Sequence, residues 1–121
     1  MELTIEMTNY PHSPHAAVRT TLDEQFEALG RPTRRRILTA LVRANPGDEG
    51  ELASLDFTGD ERPNDALMGL YHTHLPKLDE AEFIDWDPDS ETITRGSRFH
   101  EIGPLVELLI AHRDELPSDW P

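Results

Sequence analysis

The sequence predicts a mainly α-helical protein with one small β-hairpin, an α+β fold. Apolar residues recur at spacings of three and four over residues 22–44, 64–81 and 102–116, which is the period of a helix with one buried face. Residues 84–94 instead alternate apolar and polar side chains around a Pro-Asp-Ser turn, as paired strands do. A chain of 121 residues can form one domain with its own core.

The first two helices have clear start and stop signals. Thr21 can cap the first helix and Gly30 can end it. Its apolar stripe is Leu22, Phe26 and Leu29. Pro32 suits the first turn of a second helix, which we expect to reach about Ala44 with Ile37, Leu38, Leu41 and Val42 inward. Residues 1–20 show no sustained period, and we expect a flexible N-terminal arm there.

The remaining elements complete a recognisable order. Residues 49–57 predict a short third helix at best, and residues 64–81 predict a fourth helix that Pro76 should bend. The apolar line of the fourth helix is Leu67, Leu70, Tyr71, Leu75 and Leu78. After the hairpin, a strongly apolar helix closes the chain. This is the order of a winged helix-turn-helix domain over 21–97, followed by an extra C-terminal helix and tail over 98–121.

The closing helix is more apolar than the packing of one small domain requires. We therefore expect it to pair with its copy in a homodimer. The predicted interface residues are Ile102, Leu105, Val106, Leu109 and Ile110.

The charge of the chain is strongly and unevenly negative. There are 11 Lys and Arg against 24 Asp and Glu, a net charge of −13, and Lys77 is the only lysine. Such a composition is typical of cytoplasmic proteins from salt-loving microbes, because molar salt screens the self-repulsion. An acidic protein of an ordinary cytoplasm and a nucleic-acid mimic are the alternatives. Residues 31–43 run against the trend, with five arginines and no acid.

Several classes of function find no support in the sequence. The absence of cysteine excludes disulfides, cysteine–zinc sites and thiol catalysis. There is no nucleophile motif and no phosphate-binding glycine loop, so we expect a non-enzyme without a cofactor. No apolar run reaches the length of a membrane span, and the N-terminus lacks a signal-peptide layout. We expect a cytoplasmic protein without a membrane partner.

The two histidines of the fourth helix do not predict a metal site. His72 and His74 are two positions apart, so on a helix their side chains point about 200° from each other. A shared ion needs a spacing of three or four. We expect His74 to bond within the fold and His72 to lie on the surface.

Two stretches resemble the ArsR-type (arsenical-resistance-repressor-like) winged helices. "FEALGRPTRRRILTALV" is similar to the opening of that family, and "HLPKLDEAEFIDWD" to the end of its recognition helix and its first wing strand. "YHTHLPKLDEA" is closer still to uncharacterised winged-helix domains of salt-loving archaea. The resemblance covers about residues 22–95 and implies a DNA-binding transcriptional regulator with its recognition helix at about 64–81. Arg31 replaces the usual aspartate cap, and the wing tip "DPDSE" is acidic, which puts a contact between wing and DNA in doubt.

The outward face of the fourth helix and the nearby arginines are the candidate contacts to double-stranded DNA. The residues are Arg36, Arg43, Arg62, His72, Thr73, Lys77, Arg95 and Arg98. The alternative is that these arginines only pair with surrounding carboxylates. We consider this at least as plausible for Arg34 and Arg35, and equally plausible for Arg36, Arg43 and Arg62. The alternative function is a winged-helix protein–protein interaction module that does not bind DNA.

Overall fold

A computed structural model describes residues 19–44, 50–51 and 63–121. The elements are α1 (Leu22–Ala28), α2 (Pro32–Arg43), β1 (Gly50–Glu51), α3 (Pro63–Gly69), a π-helical turn (Leu70–His74), α4 (Leu75–Glu80), β2 (Ile84–Asp87), β3 (Thr92–Arg95), α5 (Phe99–Ala111) and a 3-10 turn (Arg113–Glu115). The predicted mainly α-helical fold with a small β-hairpin is confirmed. The layout is that of a winged helix with an extra C-terminal helix. No helix within these ranges is both long and apolar enough to cross a bilayer.

Helix α1 begins with the predicted cap. The hydroxyl of Thr21 accepts a hydrogen bond from the backbone N–H of Glu24 (3.1 Å), and the Glu24 carboxylate accepts one from the backbone N–H of Thr21 (2.7 Å). Gln25 and Ala28 of α1, and Leu29 directly after it, are buried. Leu22 and Phe26, the other members of the predicted apolar stripe, lie in solvent, with Phe26 53% exposed. They form an apolar surface that the described part of the chain leaves uncovered.

The core lies between α2, the helices over 63–80 and α5, with the sheet closing one side. It includes Ile37, Leu38, Leu41, Leu70, Leu75, Leu78, Phe83, Ile84, Ile93, Ile102 and Val106. Two residues predicted to form a dimer interface, Ile102 and Val106, are therefore completely buried in their own chain. Side chains that fill this core cannot also pack on a partner, so that part of the prediction is wrong. Leu105, Leu109 and Ile110 are only partly buried.

The helix predicted over 64–81 is found over 63–80, but a π-helical turn interrupts it. Pro76 lacks a backbone N–H, and before it the N–H of Leu75 bonds to the carbonyl of Leu70, five residues back. The turn inserts one extra residue and rotates the preceding helix by about 100°. Leu67, predicted to be buried, is 49% exposed, whereas Leu70, three residues later, is buried as predicted.

The wing is a three-stranded antiparallel sheet in the order β1-β3-β2. The predicted hairpin is present, with Trp86 opposite Ile93. Gly50 and Glu51, expected in a short helix, instead pair with Ile93 and Thr92 of β3. The rest of that predicted helix lies outside the described residues.

The base of the wing requires a glycine. A Cβ atom on Gly96 would collide with the carbonyl oxygens of Glu82 and Ile84. The backbone N–H of Gly96 bonds to the carbonyl of Phe83 (3.1 Å), which closes the hairpin onto the end of α4. Close backbone approach of this kind is a position where only glycine fits.

The predicted N-terminal arm, 1–20, ends in two residues that are tied to α5. The carboxylate of Glu101 accepts hydrogen bonds from the backbone N–H groups of Arg19 (3.1 Å) and Thr20 (2.9 Å) and from the Thr20 hydroxyl (2.9 Å). Thr20 is also buried, so the end of the predicted arm packs against α5. Residues 1–18 lie outside the described residues.

Candidate nucleic-acid interface

The most accessible polar groups of the helix over 63–80 are at its π-helical turn. His72 and Thr73 are both exposed. Neither side chain forms a hydrogen bond or ion pair with any residue of ranges 19–44, 50–51 and 63–121. An imidazole and a hydroxyl can each donate and accept hydrogen bonds, so this pair can bind an external polar partner.

His74, on the same turn, points into the fold as predicted. Its Nδ1 lies 3.0 Å from Nη1 of Arg34 on α2. A guanidinium only donates, so Nδ1 of His74 must be the unprotonated acceptor. The His74 ring also lies against Gly69, where an added Cβ would be 3.6 Å from Nε2. The hydrogen bond between Arg34 and His74 holds the π-helical turn, which carries His72 and Thr73, against α2.

Arg34 also binds the end of α1. Its Nε donates to the carbonyl of Ala28 (2.9 Å), and its Nη2 donates to the carbonyl of Glu27 (2.8 Å). The side chain is buried, with the residue only 6% exposed. Burial lowers the pKa of Arg34 below its usual value, and the charge of Arg31 lowers it further. The guanidinium still remains charged, because arginine keeps its proton in proteins.

Arg35 completes the same arrangement. Its Nη1 donates to the carbonyl of Leu29 (2.8 Å), so two arginines of α2 satisfy three successive carbonyls at the end of α1. A cation at a helix C-terminus also compensates the helix dipole. For Arg34 and Arg35, pairing within the fold is therefore observed, and the acceptors are backbone carbonyls rather than carboxylates.

Arg95, a predicted DNA contact, performs this role at the end of α2. Its Nε and Nη2 donate to the carbonyl of Leu41 (3.2 and 2.9 Å), and Nη2 also lies 3.3 Å from the carbonyls of Val42 and Ala44. The guanidinium carbon sits 4.9 Å from the ring centre of Phe99. These contacts hold the guanidinium against the end of α2, but Arg95 is exposed, and its contact with DNA stays a prediction.

Lys77 and Arg98 are also engaged with neighbouring acids. Nζ of Lys77 is 3.0 Å from the carboxylate of Glu27 on α1. Nε of Arg98 is 3.9 Å from the carboxylate of Glu82, and its side chain is half-buried. Both side chains therefore have partners within the described residues, and their contacts with DNA stay predictions.

The remaining predicted cations differ from one another. Arg43, the last residue of α2, is exposed and has no hydrogen bond or ion pair with the described residues. Arg36 is half-buried and already has a partner. Arg62 lies outside the described residues. The described part of the chain thus offers His72, Thr73 and Arg43 as polar groups open to a partner.

The rest of this surface is acidic or apolar. Asp87, Asp89 and Glu91 at the wing turn are exposed. Hydrogen bonds from the Ser90 hydroxyl and the Asp89 backbone N–H hold the pKa of Asp87 below its usual value, so this carboxylate stays negative. On α3, Met68 is 62% exposed beside the half-exposed Leu67. The wing turn is unsuited to phosphate, and α3 presents an apolar patch.

A comparison with protein-family models bears on these residues. The model of a domain of unknown function (DUF7344) matches residues 26–94, more than half of the chain. The chain belongs to the DUF7344 family. No curated protein and no solved structure matches it.

The DUF7344 match begins within α1, ends in β3 and leaves α5 out. His72, Thr73 and Arg43 all lie inside the matched region, as does the arginine cap formed by Arg34. Glu101 lies beyond the match.

Sequence reasoning missed two functions of charged residues. The buried carboxylate of Glu101 and the capping guanidinium of Arg95 look like ordinary surface charges in the sequence. Arg95 precedes Gly96 and Glu101 follows it by five residues, and neither position indicates its partners, most of which are backbone groups. The one available signal was for Arg34 and Arg35, which follow the helix stop at Gly30 by four and five positions.

Proposed function

We propose that this DUF7344 protein is a DNA-binding transcriptional regulator of winged helix-turn-helix type. The helix over 63–80 enters the major groove and acts as the recognition helix. His72 and Thr73, at the centre of that helix, are exposed and have no partner among the described residues, and this observation supports the proposal most. These side chains can hydrogen-bond to base edges, which carry the sequence information of the major groove. The ArsR-type resemblance of the sequence supports the same function.

Phosphate contacts are few in this proposal. Arg43 provides one, and Arg62, which precedes α3, provides another. Each neutralised phosphate contributes a slope of about −0.9 to log K against log salt concentration. We therefore expect a shallow salt dependence, with binding carried by base contacts and by the shape and hydration of DNA.

The test is a selection of genomic DNA fragments by the purified protein across potassium chloride concentrations, with folding followed by circular dichroism. We expect selective retention of fragments in molar salt, where the acidic fold is stable. A steep loss of affinity as salt rises, from a protein folded throughout, would contradict the mechanism. A folded protein that retains no fragment selectively at any salt concentration would contradict the function.

We also propose a homodimer, through a surface that shares Leu109 with the predicted interface but otherwise differs from it. Phe26 and Leu109 line one apolar groove with Leu116 and Trp120 of the C-terminal tail. Leu22 precedes Phe26 by one helical turn, and both are exposed. Leu108, also exposed, follows Glu101 by seven residues and so lies on the side of α5 that faces the start of α1.

Light scattering in molar potassium chloride tests the dimer. Phe26→Glu should give a folded monomer, because it places a charge on the exposed face without touching the core. Thr92→Glu, on the wing, is the matched control and should leave the dimer intact. An unaltered protein that is already monomeric under these conditions would exclude the dimer.

Salt-rich cytoplasm is the environment that we propose for this protein. The net charge of −13 and the single lysine support it. At roughly 0.1 M salt, repulsion between charges reaches about 10 Å, whereas at 1 M it reaches about 3 Å. Thermal stability should therefore rise with potassium chloride concentration.

A protein-interaction module is the second candidate, and one observation favours it. Leu67 and Met68 expose apolar side chains on the same helix, and the wing turn is acidic. If no DNA is retained, and Met68→Asp abolishes binding of a purified protein partner without unfolding the domain, this candidate replaces the first.

A further inference from the structure

A second cavity lies between α1, the end of α4 and the base of the wing, with a volume of about 300 Å³. Its inner wall is apolar, because Ala28 and Phe83 are buried there. Its outer wall carries charged side chains of both signs. The volume is at the small end of the range for ligand sites, about 300–1,000 Å³.

The charged wall holds three carboxylates and two cations. The carboxylates belong to Glu24, Glu27 and Glu80, and the cations to Lys77 and Arg98. A simple anion entering the cavity would meet the three carboxylates. A simple cation would be repelled by the guanidinium of Arg98 and the ammonium of Lys77. A molecule that carries one charge of each sign fits both parts of this wall.

Several of these groups have capacity for a ligand. Glu80 forms no hydrogen bond or ion pair with the residues that the structure describes. Arg98 contacts Glu82 at only 3.9 Å, beyond hydrogen-bond distance, through Nε. One oxygen of Glu24 accepts from the backbone of Thr21, which leaves the other oxygen available.

The one close ion pair at this cavity is replaceable. Lys77 and Glu27 lie 3.0 Å apart, but both side chains reach solvent. An exposed pair of this kind contributes about 0–1 kcal/mol to stability. A ligand with both charges can insert between the two side chains and bridge them, since each then keeps a counter-charge.

We propose that this cavity binds a small zwitterion of the free amino-acid class. The ammonium group contacts the carboxylates of Glu24 and Glu80. The carboxylate contacts the guanidinium of Arg98, which can bind it through two parallel hydrogen bonds. The short side chain of the ligand packs on Phe83 and Ala28. This inference rests on the cavity alone and not on DNA binding. Lys77 and Glu80 also belong to the proposed recognition helix, so a ligand in the cavity would contact that helix.

The first experiment is a titration with L-alanine in molar potassium chloride, followed by the backbone amide NMR signals of the protein. We expect saturable shifts at millimolar concentrations for residues 24–28, 77–81 and 98. L-Alaninamide lacks the carboxylate charge and propionate lacks the ammonium group, so each should bind at least about tenfold more weakly if both charges are recognised. Glycine and L-valine extend the series to smaller and larger side chains.

Variants locate the site. Arg98→Gln and Glu80→Gln should each weaken L-alanine binding about tenfold, a loss that corresponds to one charged contact. Both substitutions change side chains that reach solvent, and amide spectra verify the fold. Arg113→Gln and Glu107→Gln make the same chemical changes on exposed positions away from the cavity and should leave binding unchanged.

Two results would overturn the proposal. One is the absence of saturable shifts with every amino acid of the series. The other is equal binding by wild type and Arg98→Gln, which would move any interaction to another surface. Neither result bears on DNA retention, so the failure of this inference and the failure of the proposed function remain distinguishable.

Discussion

Two polar regions of this molecule use their side chains in opposite ways. At the junction of α1 and α2, the guanidinium of Arg34 makes hydrogen bonds to Ala28, Glu27 and His74 and is almost completely buried. At the π-helical turn, which the same arginine holds in place, His72 and Thr73 are exposed and bind nothing in the described part of the chain. The first region supplies rigidity, and the second supplies free hydrogen-bonding groups on a rigid support. A functional surface is best carried by such an arrangement.

The largest effect is expected at the buried arginine. Arg34→Met keeps the aliphatic stem but leaves the carbonyls of Glu27 and Ala28 and Nδ1 of His74 without their donor. The free energy of unfolding should fall by about 3 kcal/mol, because several buried polar groups lose their partners. Arg43→Met, on the exposed end of the same helix, should change it by less than about 0.5 kcal/mol.

Urea denaturation in molar potassium chloride measures both variants. If Arg34→Met were as stable as Arg43→Met, the buried hydrogen bonds of Arg34 would not stabilise the fold more than an exposed arginine does.

The next effect is expected at Glu101, the buried carboxylate on α5. Burial alone would raise its pKa, but hydrogen bonds from Thr20 and Arg19 and the charge of Arg98 hold the pKa below its usual value. Glu101→Gln removes this charge-assisted network and should cost about 2 kcal/mol at neutral pH. Glu107→Gln, exposed on the same helix, is the control.

Acid should reproduce this loss. The folded pKa of Glu101 is lowered, so its contribution to stability is complete above the unfolded pKa of about 4.3 and disappears as pH falls through the folded pKa. The stability difference between wild type and Glu101→Gln should therefore shrink below about pH 4. A difference that stays constant down to acid unfolding would show that the charge of Glu101 does not stabilise the fold.

A smaller effect is expected at Arg95, whose guanidinium is exposed although it binds the end of α2. Arg95→Gln should lower the free energy of unfolding by about 1 kcal/mol, the usual size for a cation at a helix C-terminus. Arg113→Gln provides a comparison at a short 3-10 turn. Equal stability of Arg95→Gln and wild type would mean that water replaces the arginine at the α2 carbonyls without loss.

The smallest change in stability is expected on the outward face. His72→Ala and Thr73→Ala should each alter the free energy of unfolding by less than about 0.5 kcal/mol. They should nevertheless change the preferred DNA sequence, since a base contact contributes about 1–3 kcal/mol of discrimination. Arg43→Ala should instead weaken all DNA sequences alike. Equal and unselective losses from all three variants, measured by fragment selection, would contradict these separate roles.

Much of the fold followed from the sequence. The helical period, the cap at Thr21 and the Pro-Asp-Ser turn predicted helices and hairpin close to their observed bounds. Leu67 was placed wrongly, because helical spacing puts it on the side of the buried Leu70 but does not show where along the helix the core ends. Ile102 and Val106 were assigned to a dimer because a wide apolar stripe does not itself divide into core and interface.

The candidate site was predicted less completely, for a physical reason. His72, Thr73 and Arg43 were identified as outward groups, and the structure places them there. The contacts of Arg95 and Glu101 were not predicted, because most of their partners are backbone groups, which every residue type possesses. A sequence shows which side chains are charged. It does not show which backbone carbonyl or N–H group a charged side chain will bind, because every residue has such groups.

The arginine caps have a consequence for ion competition. A carbonyl oxygen at a helix end is also a good ligand for a spherical monovalent cation, and the ammonium of a lysine is a point charge much like such an ion. In concentrated potassium, dissolved ions would compete with a lysine at this place. The planar guanidinium of Arg34 binds two carbonyls and an imidazole at once, in directions that a sphere does not match. Concentrated potassium can therefore screen the charge at these helix ends. A potassium ion cannot form the directional hydrogen bonds that the planar guanidinium forms.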